Sequence, residues 1–279
     1  MSTEESSVPT GCYQRLSVAA DGGETFAPTT LSIGPWDDRL QHGGPVTALL
    51  TRAMDRLPTE LEGHIARITV EILRPVVMDE LTVSARVARG GRKVSLLEAQ
   101  MCQRGPGGEH AVVAVARAWR LAASDTRPAH HVPDERLEPV TAEELEDPAK
   151  RISSVLNRGF VAGLTWVVRD PIGARGGPTA AWARPEMALV EGESPTDLER
   201  LAMVADCANG VGMRVDPRDW TFLNTDVTIH VHTPPRGDWV GLVAESRIGA
   251  EGAGTSTAVL HDGQGPIGRV SQALLVEAR

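Results

Sequence analysis

The chain has 279 residues, 41% of them hydrophobic and 23% charged, a balance that excludes disordered, collagen-like and disulfide-scaffold proteins. Its net charge is −9 and its basic residues are spread along the sequence, so neither nucleic acid nor an anionic membrane surface is expected as a partner. With only 4% aromatic residues the core must be filled mostly by Val, Leu, Ile and Ala, which also argues against stacking platforms for bases.

At about 100–150 residues per domain the length leaves room for two. Cys12, Cys102 and Cys207 are too widely spaced for a disulfide framework or a zinc knuckle, which points to a reducing cytoplasm. The first ten residues carry Glu4 and Glu5 and no apolar stretch, unlike a secretory signal. No apolar run approaches the roughly 20 residues that span a bilayer, and the candidate at 111–119 is broken by Arg117.

Residues 1–27 read as an N-terminal segment, ahead of a first domain over 28–123. Gly43-Gly44-Pro45 opens a helix whose apolar residues Val46, Leu49, Leu50, Ala53, Met54 and Leu57 repeat at helical spacing, with Pro45 suited to the first turn. Strand-like runs follow at 66–74, 80–89, 93–103 and 110–121, punctuated by Gly90-Gly91 and Gly105-Pro106-Gly107-Gly108. Residues 124–150, with Pro128, Pro133, Pro139, Pro148 and many acids, read as a linker holding a short helix at 141–147.

A second domain over 151–279 repeats the plan. Ser194-Pro195-Thr196-Asp197 predicts a helix capped by Ser194, with Pro195 at its first position and a face of Leu198, Leu201, Ala202, Ala205 and Asn209. Strand-like runs come at 223–232, 238–248, 254–261 and 266–276. Setting Pro75 on Pro234 gives an offset of 159, which also sets Ile68 on Val227, Leu81 on Val240 and Gly90 on Gly249. The fold class is therefore α+β: two copies of a long helix wrapped by an antiparallel sheet, a double hotdog whose sheets pair edge to edge and hide their open strands.

The segments His42-Gly43-Gly44-Pro45-Val46, Leu201 to Asn209 with Asp206, Asn224-Thr225-Asp226 through His230-Val231-His232 to Pro234, and Val270-Ser271-Gln272-Ala273-Leu274 resemble the TesB-like acyl-CoA thioesterases over roughly residues 30–279. In that family a helical Asp, a Thr just before a strand Asp-His-x-x-x-Phe-His-Arg-Pro, and a Gln in the last strand hold the attacking water. The resemblance places the Asp on Asp206 and the Gln on Gln272. Anchoring on Asp226 puts the Thr on Asn224, with Thr225 adjacent after a one-residue shift. The strand departs from the pattern at Val227, Val231 and Thr233, and keeps His232 and Pro234. The implied substrate is an acyl-CoA, with coenzyme A part of the substrate and no cofactor or metal required; a homodimer or higher homo-oligomer is expected.

Read alone, the residues allow the same chemistry. Asp206 borders the buried stripe of its helix, where a carboxylate suits a base that activates water. Gln272 alternates with Val270, Leu274 and Val276 onto an apolar face, so its amide needs partners. Asn224 shares strand parity with Asp226, whereas Thr225 points with Val227, Ile229 and Val231; the sequence leaves both as water-holding candidates. His42, Gly43 and Gly44 form a candidate oxyanion and substrate-binding site, because two glycines at a helix start let a ligand oxygen approach backbone N–H groups. His230 and His232 form an H-x-H pair without a convincing third ligand and read as sheet-surface histidines. Cys207 reads as a small buried residue, and Arg74 and Arg184 as two of many arginines near sheet ends.

Two rival functions fit the same fold. Asp37 and His42 have the separation of the Asp-x-Asn-x-x-His motif of hotdog hydratases and dehydratases, with Arg39 at the Asn position. The altered strand from Asn224 to Thr233 also fits an acyl-thioester-binding protein without catalysis.

Overall fold

The computed structural model describes residues 8–105, 107–152, 155–173 and 177–279. Residues 1–7 of the expected N-terminal segment and Pro106 of the expected glycine-rich turn lie outside these. Among the described residues fourteen strands join one sheet. Those of the first half are β1 (Gly11–Val18), β2 (Glu24–Pro28), β3 (Gly63–Ile72), β4 (Leu81–Arg89), β5 (Val94–Arg104) and β6 (His110–Ala122). The second half contributes β7 (Leu164–Val168), β8 (Thr179–Pro185), β9 (Ala188–Val190), β10 (Trp220–Asn224), β11 (Asp226–Val231), β12 (Val240–Ile248), β13 (Ala253–Asp262) and β14 (Gly265–Ala278). The order is β7-β8-β12-β13-β14-β11-β3-β6-β5-β4-β2-β1-β9, with β10 paired to β14 beside this path.

The halves meet where β3 and β11 pair antiparallel, with Thr69 directly opposite Thr228. These two residues are 159 apart in sequence and their hydroxyls approach to 3.5 Å. That separation in sequence equals the offset read from Pro75 and Pro234, and it falls where the two halves join.

Helix α1 (Gly43–Asp55) packs on β3 to β6, the strands that follow it, and on α3 (Asp197–Ala205). Its core face holds Val46, Leu49, Leu50 and Met54, all buried, as the helical spacing requires. Helix α2 (Ala142–Glu146) falls in the predicted short-helix stretch and carries a Thr141–Glu144 capping box. Glu144 pairs with Arg169, and the Glu138 carbonyl accepts from the Trp182 indole N–H, which fastens this stretch to the second half. Among the described residues no helix is long and apolar enough to cross a membrane.

Three expectations need correction. The boundary at residue 27 falls inside β2, and β1 and β2 extend the sheet by pairing with each other and with β4. The cap of α3 is Thr196 instead of Ser194: Thr196 accepts from the Glu199 N–H while Glu199 reaches back to the Thr196 N–H. The second helix does not run through Asn209 as one piece, because α3 ends at Ala205 and a separate turn, α4 (Ala208–Val211), begins after Cys207.

Candidate active site

The break between α3 and α4 sets Asp206 at the C-terminal end of α3, where its carboxylate turns into a cavity of about 350 Å³. Apolar residues dominate the wall, among them Trp36, Ile152, Val161, Ile172, Met213 and Phe222. Exposed Leu73, Leu223 and Leu275 mark its mouth. Asp206 is 2% exposed, so every polar contact of its carboxylate matters.

Those contacts come from both halves. The Asn224 side-chain Nδ2 donates to Asp206 Oδ1 at 2.8 Å. Gln272 Nε2 donates to the Asp206 carbonyl at 3.0 Å and approaches Oδ1 at 3.4 Å. From the first half, His42 Nδ1 lies 3.1 Å from Asp206 Oδ2. The same nitrogen accepts from the Gly44 N–H at 2.9 Å. Nδ1 therefore stands between the Gly44 N–H and the Asp206 carboxylate.

Local structure fixes His42 tightly. Its N–H donates to the Ser32 carbonyl, and its ring packs against Phe160 with centroids 4.8 Å apart. The preceding Gln41 accepts from the Tyr13 hydroxyl and donates to the Val77 carbonyl. The following Gly43 is required by space: a Cβ there would stand 2.7 Å from both Asp206 carboxylate oxygens. Gly43→Ala is therefore expected to displace the carboxylate and cost about 1–3 kcal/mol, read by urea denaturation.

The structure separates residues that the sequence left together. Asn224, not Thr225, reaches Asp206, and it also accepts from Asn209 Nδ2 at 3.4 Å. Strand parity does not carry from Asn224 to Asp226, because β10 ends at Asn224 and β11 starts at Asp226, so the chain bends at Thr225. Asp226 consequently turns away and accepts from the Ala273 N–H at 2.8 Å. Thr225 is exposed and lines the cavity. Gln272 sits behind Asp206, outside the cavity wall.

The expected pair of oxyanion amides also divides. The Gly44 N–H is engaged by His42, and Gly44 packs so closely on Met203 that a Cβ would meet its carbonyl at 2.5 Å. Gly43 lines the cavity, and its N–H, in the first turn of α1, has no partner within the helix. Sequence reasoning missed the His42–Asp206 contact and the role of Asn209. Two glycines after a histidine were the available signal for a close approach at that spot.

Other candidates stand apart. Burial and the neighbouring Asp206 charge push the Cys207 thiol well up, which leaves it a poor nucleophile. Asp37 is held by its bidentate partner Arg39. Arg74 lines the cavity, whereas Arg184 pairs with Glu186 and covers the Trp239 ring. His230 lies opposite Arg67 and Arg269, and His232 contacts the Thr233 hydroxyl. Among the described residues no three His, Cys, Asp or Glu side chains gather as a metal site.

Known structures share this architecture. A conserved protein of unknown function with a hotdog fold from Alicyclobacillus acidocaldarius superposes with TM-score 0.72 at 16% identity, over 94% of this chain and 96% of its own. An acyl-CoA thioesterase II of Mycobacterium marinum gives 0.63 at 12% identity, covering 95% of each chain. The dehydratase domain of PpsC from Mycobacterium tuberculosis, solved in complex with C12:1-CoA, gives 0.53 at 13% identity over 97% of this chain and 100% of its own. Likeness at such identities shows the fold, and the fold is of the hotdog type. No curated protein sequence matches the chain. Models of the acyl-CoA thioesterase N-terminal and C-terminal domains match residues 32–121 and 133–276. The chain belongs to the TesB-like acyl-CoA thioesterase family.

Proposed function

We propose that the protein is a double-hotdog acyl-CoA thioesterase that hydrolyses an acyl-CoA to a free acid and coenzyme A, with no cofactor beyond the substrate's own coenzyme A. The observation that carries the reading is the buried Asp206 carboxylate at an apolar cavity, held by amide donors of Asn224 and Gln272. The cavity suits an acyl chain, because its wall offers few groups that would bind a polar one.

In this mechanism Asp206 takes a proton from a water as the water oxygen attacks the thioester carbonyl carbon. The carbonyl oxygen becomes an oxyanion beside the Gly43 N–H at the positive end of α1. The carbon–sulfur bond then breaks, and the leaving thiolate takes the proton from Asp206, so the base is restored. His42 Nδ1, 3.1 Å from Asp206 Oδ2, helps to position the carboxylate. Asn224 takes the place of the hydroxyl that the family resemblance implies there, and Asn209 orients its amide.

The reading is tested with a panel of acyl-CoA chain lengths and a colorimetric thiol reagent. Thiol release supports hydrolysis; tight binding with no release over the whole panel points to a non-catalytic binder. A change in enoyl-thioester absorbance without thiol points to a dehydratase. Asn224→Ala removes the shortest donor to the carboxylate and is expected to lower kcat by about 10²-fold, measured by the same assay.

A further inference from the structure

Three polar side chains form a single row across the inner face of the second-half sheet. Ser246 on β12 stands opposite Ser256 on β13, which stands opposite Gln272 on β14. All three are buried, at 6%, 0% and 2% exposure. Among the described residues Ser246 Oγ, Ser256 Oγ and Gln272 Oε1 each have no hydrogen-bond partner. The neighbouring rows on this face are apolar: Ala244, Ala258 and Val270 on one side, Gly254 and Leu274 on the other. Small apolar residues would fill the serine positions without leaving polar atoms unpaired, so filling space does not account for the hydroxyls.

Strand spacing supplies the reason. Neighbouring strands lie about 4.8 Å apart, and two hydrogen bonds of about 2.8 Å through one water span that distance. The inner end of the row is Gln272, whose Nε2 is already on Asp206. At the outer end β8 stops pairing at Thr179, opposite Ala244. Beyond that point the Ser246 N–H turns to the Gly212 carbonyl, in the loop that leaves α4. None of the three residues lines the acyl cavity.

We propose that Ser246, Ser256 and Gln272 form a buried hydrated seam that supplies water to Asp206 from behind while an acyl group occupies the cavity. The inference rests on the hydrolase reading, since only a reaction that consumes water needs a supply when the substrate closes the mouth. Each turnover uses one water, whose oxygen leaves in the acid. The seam replaces it without exchange past the acyl chain.

The test uses the full-length protein. A high-resolution crystal structure of the wild type is expected to show waters bridging Ser246 Oγ to Ser256 Oγ and Ser256 Oγ to Gln272 Oε1. Ser256→Ala and Ser246→Ala are each expected to lower kcat about tenfold with KM within about twofold and no loss of melting temperature. Thr257→Ala, on the opposite face of β13, serves as the unaffected control. Because Ser246 is the less enclosed of the two, its variant keeps the test open if Ser256→Ala does not fold. Absence of the bridging waters, or unchanged kcat in the serine variants of an active enzyme, overturns the seam. Failure of the wild type to release thiol from any acyl-CoA overturns the hydrolase reading instead, and the waters then judge the seam as a structural feature.

Discussion

Asp206→Asn is expected to lower the kcat of acyl-CoA hydrolysis by about 10²–10⁴-fold while leaving the fold intact. The substitution is nearly isosteric, and the hydrogen bonds allow it: Asn224 Nδ2 and Gln272 Nε2 still find an oxygen acceptor at Oδ1. The new amide nitrogen takes the place of Oδ2, 3.1 Å from His42 Nδ1. An amide does not take a proton from water, so chemistry is lost and packing is kept. Thiol release and a thermal melt, run on the same sample, separate the two. Full activity in the Asp206→Asn variant would remove Asp206 from the mechanism.

Arg52→Ala is expected to destabilise the protein by about 3 kcal/mol, because it leaves two carboxylates in a partly buried cluster without their main partner. Arg52 is 1% exposed and its guanidinium contacts Glu24 and Glu193. Arg15 and Arg56 also touch these glutamates and hold the loss to the lower end of the range for a broken buried pair. Burial alone would raise the two carboxyls, but the hydrogen bonds and charge of Arg52 bring both below their ordinary value of 4.5. A carboxyl lowered in the native state binds fewer protons there than in the unfolded chain. It therefore adds stability above the ordinary value, and the contribution fades as pH falls through the lowered one. Urea midpoints from pH 7 downward should drop steeply below about pH 4.5 in the wild type and less steeply in Arg52→Ala. Parallel slopes would show that the cluster contributes no pH-dependent stability.

Periodicity made α1 and the strands β3 to β6 legible, since each buries one face along a continuous run. The strands β1, β2, β7, β8 and β9 left no comparable signal. Several are short, β9 having only three residues, and most of β1 is exposed, so neither length nor alternation marks it. The end of α3 was hidden for the opposite reason: Ala205, Ala208 and Val211 keep the apolar pattern going across the break at Asp206 and Cys207. Within the candidate site, Asp206 and Gln272 were readable because a polar residue among apolar neighbours demands partners. Which partners they find was not readable. His42 and Asp206 are far apart in sequence and meet because α1 packs antiparallel on α3, and Asn224 prevails over Thr225 through a bend that strand parity does not encode.

The facing pair Thr69 and Thr228 has a consequence for what each half is free to become. Arg52 and Asp206 each stand ten residues beyond the cap of their own helix, His42 and Thr196. One position carries a cation locked to glutamates, and the other a carboxylate open to a cavity. Two separate, identical subunits would have to carry the same residue at both places, so a gain at one would be imposed on the other. Joining the halves in one polypeptide lifts that restriction. One half can hold an ion cluster that braces the molecule, while the other keeps a buried carboxylate at a cavity. The connection also keeps the unlike halves at one-to-one ratio at any dilution.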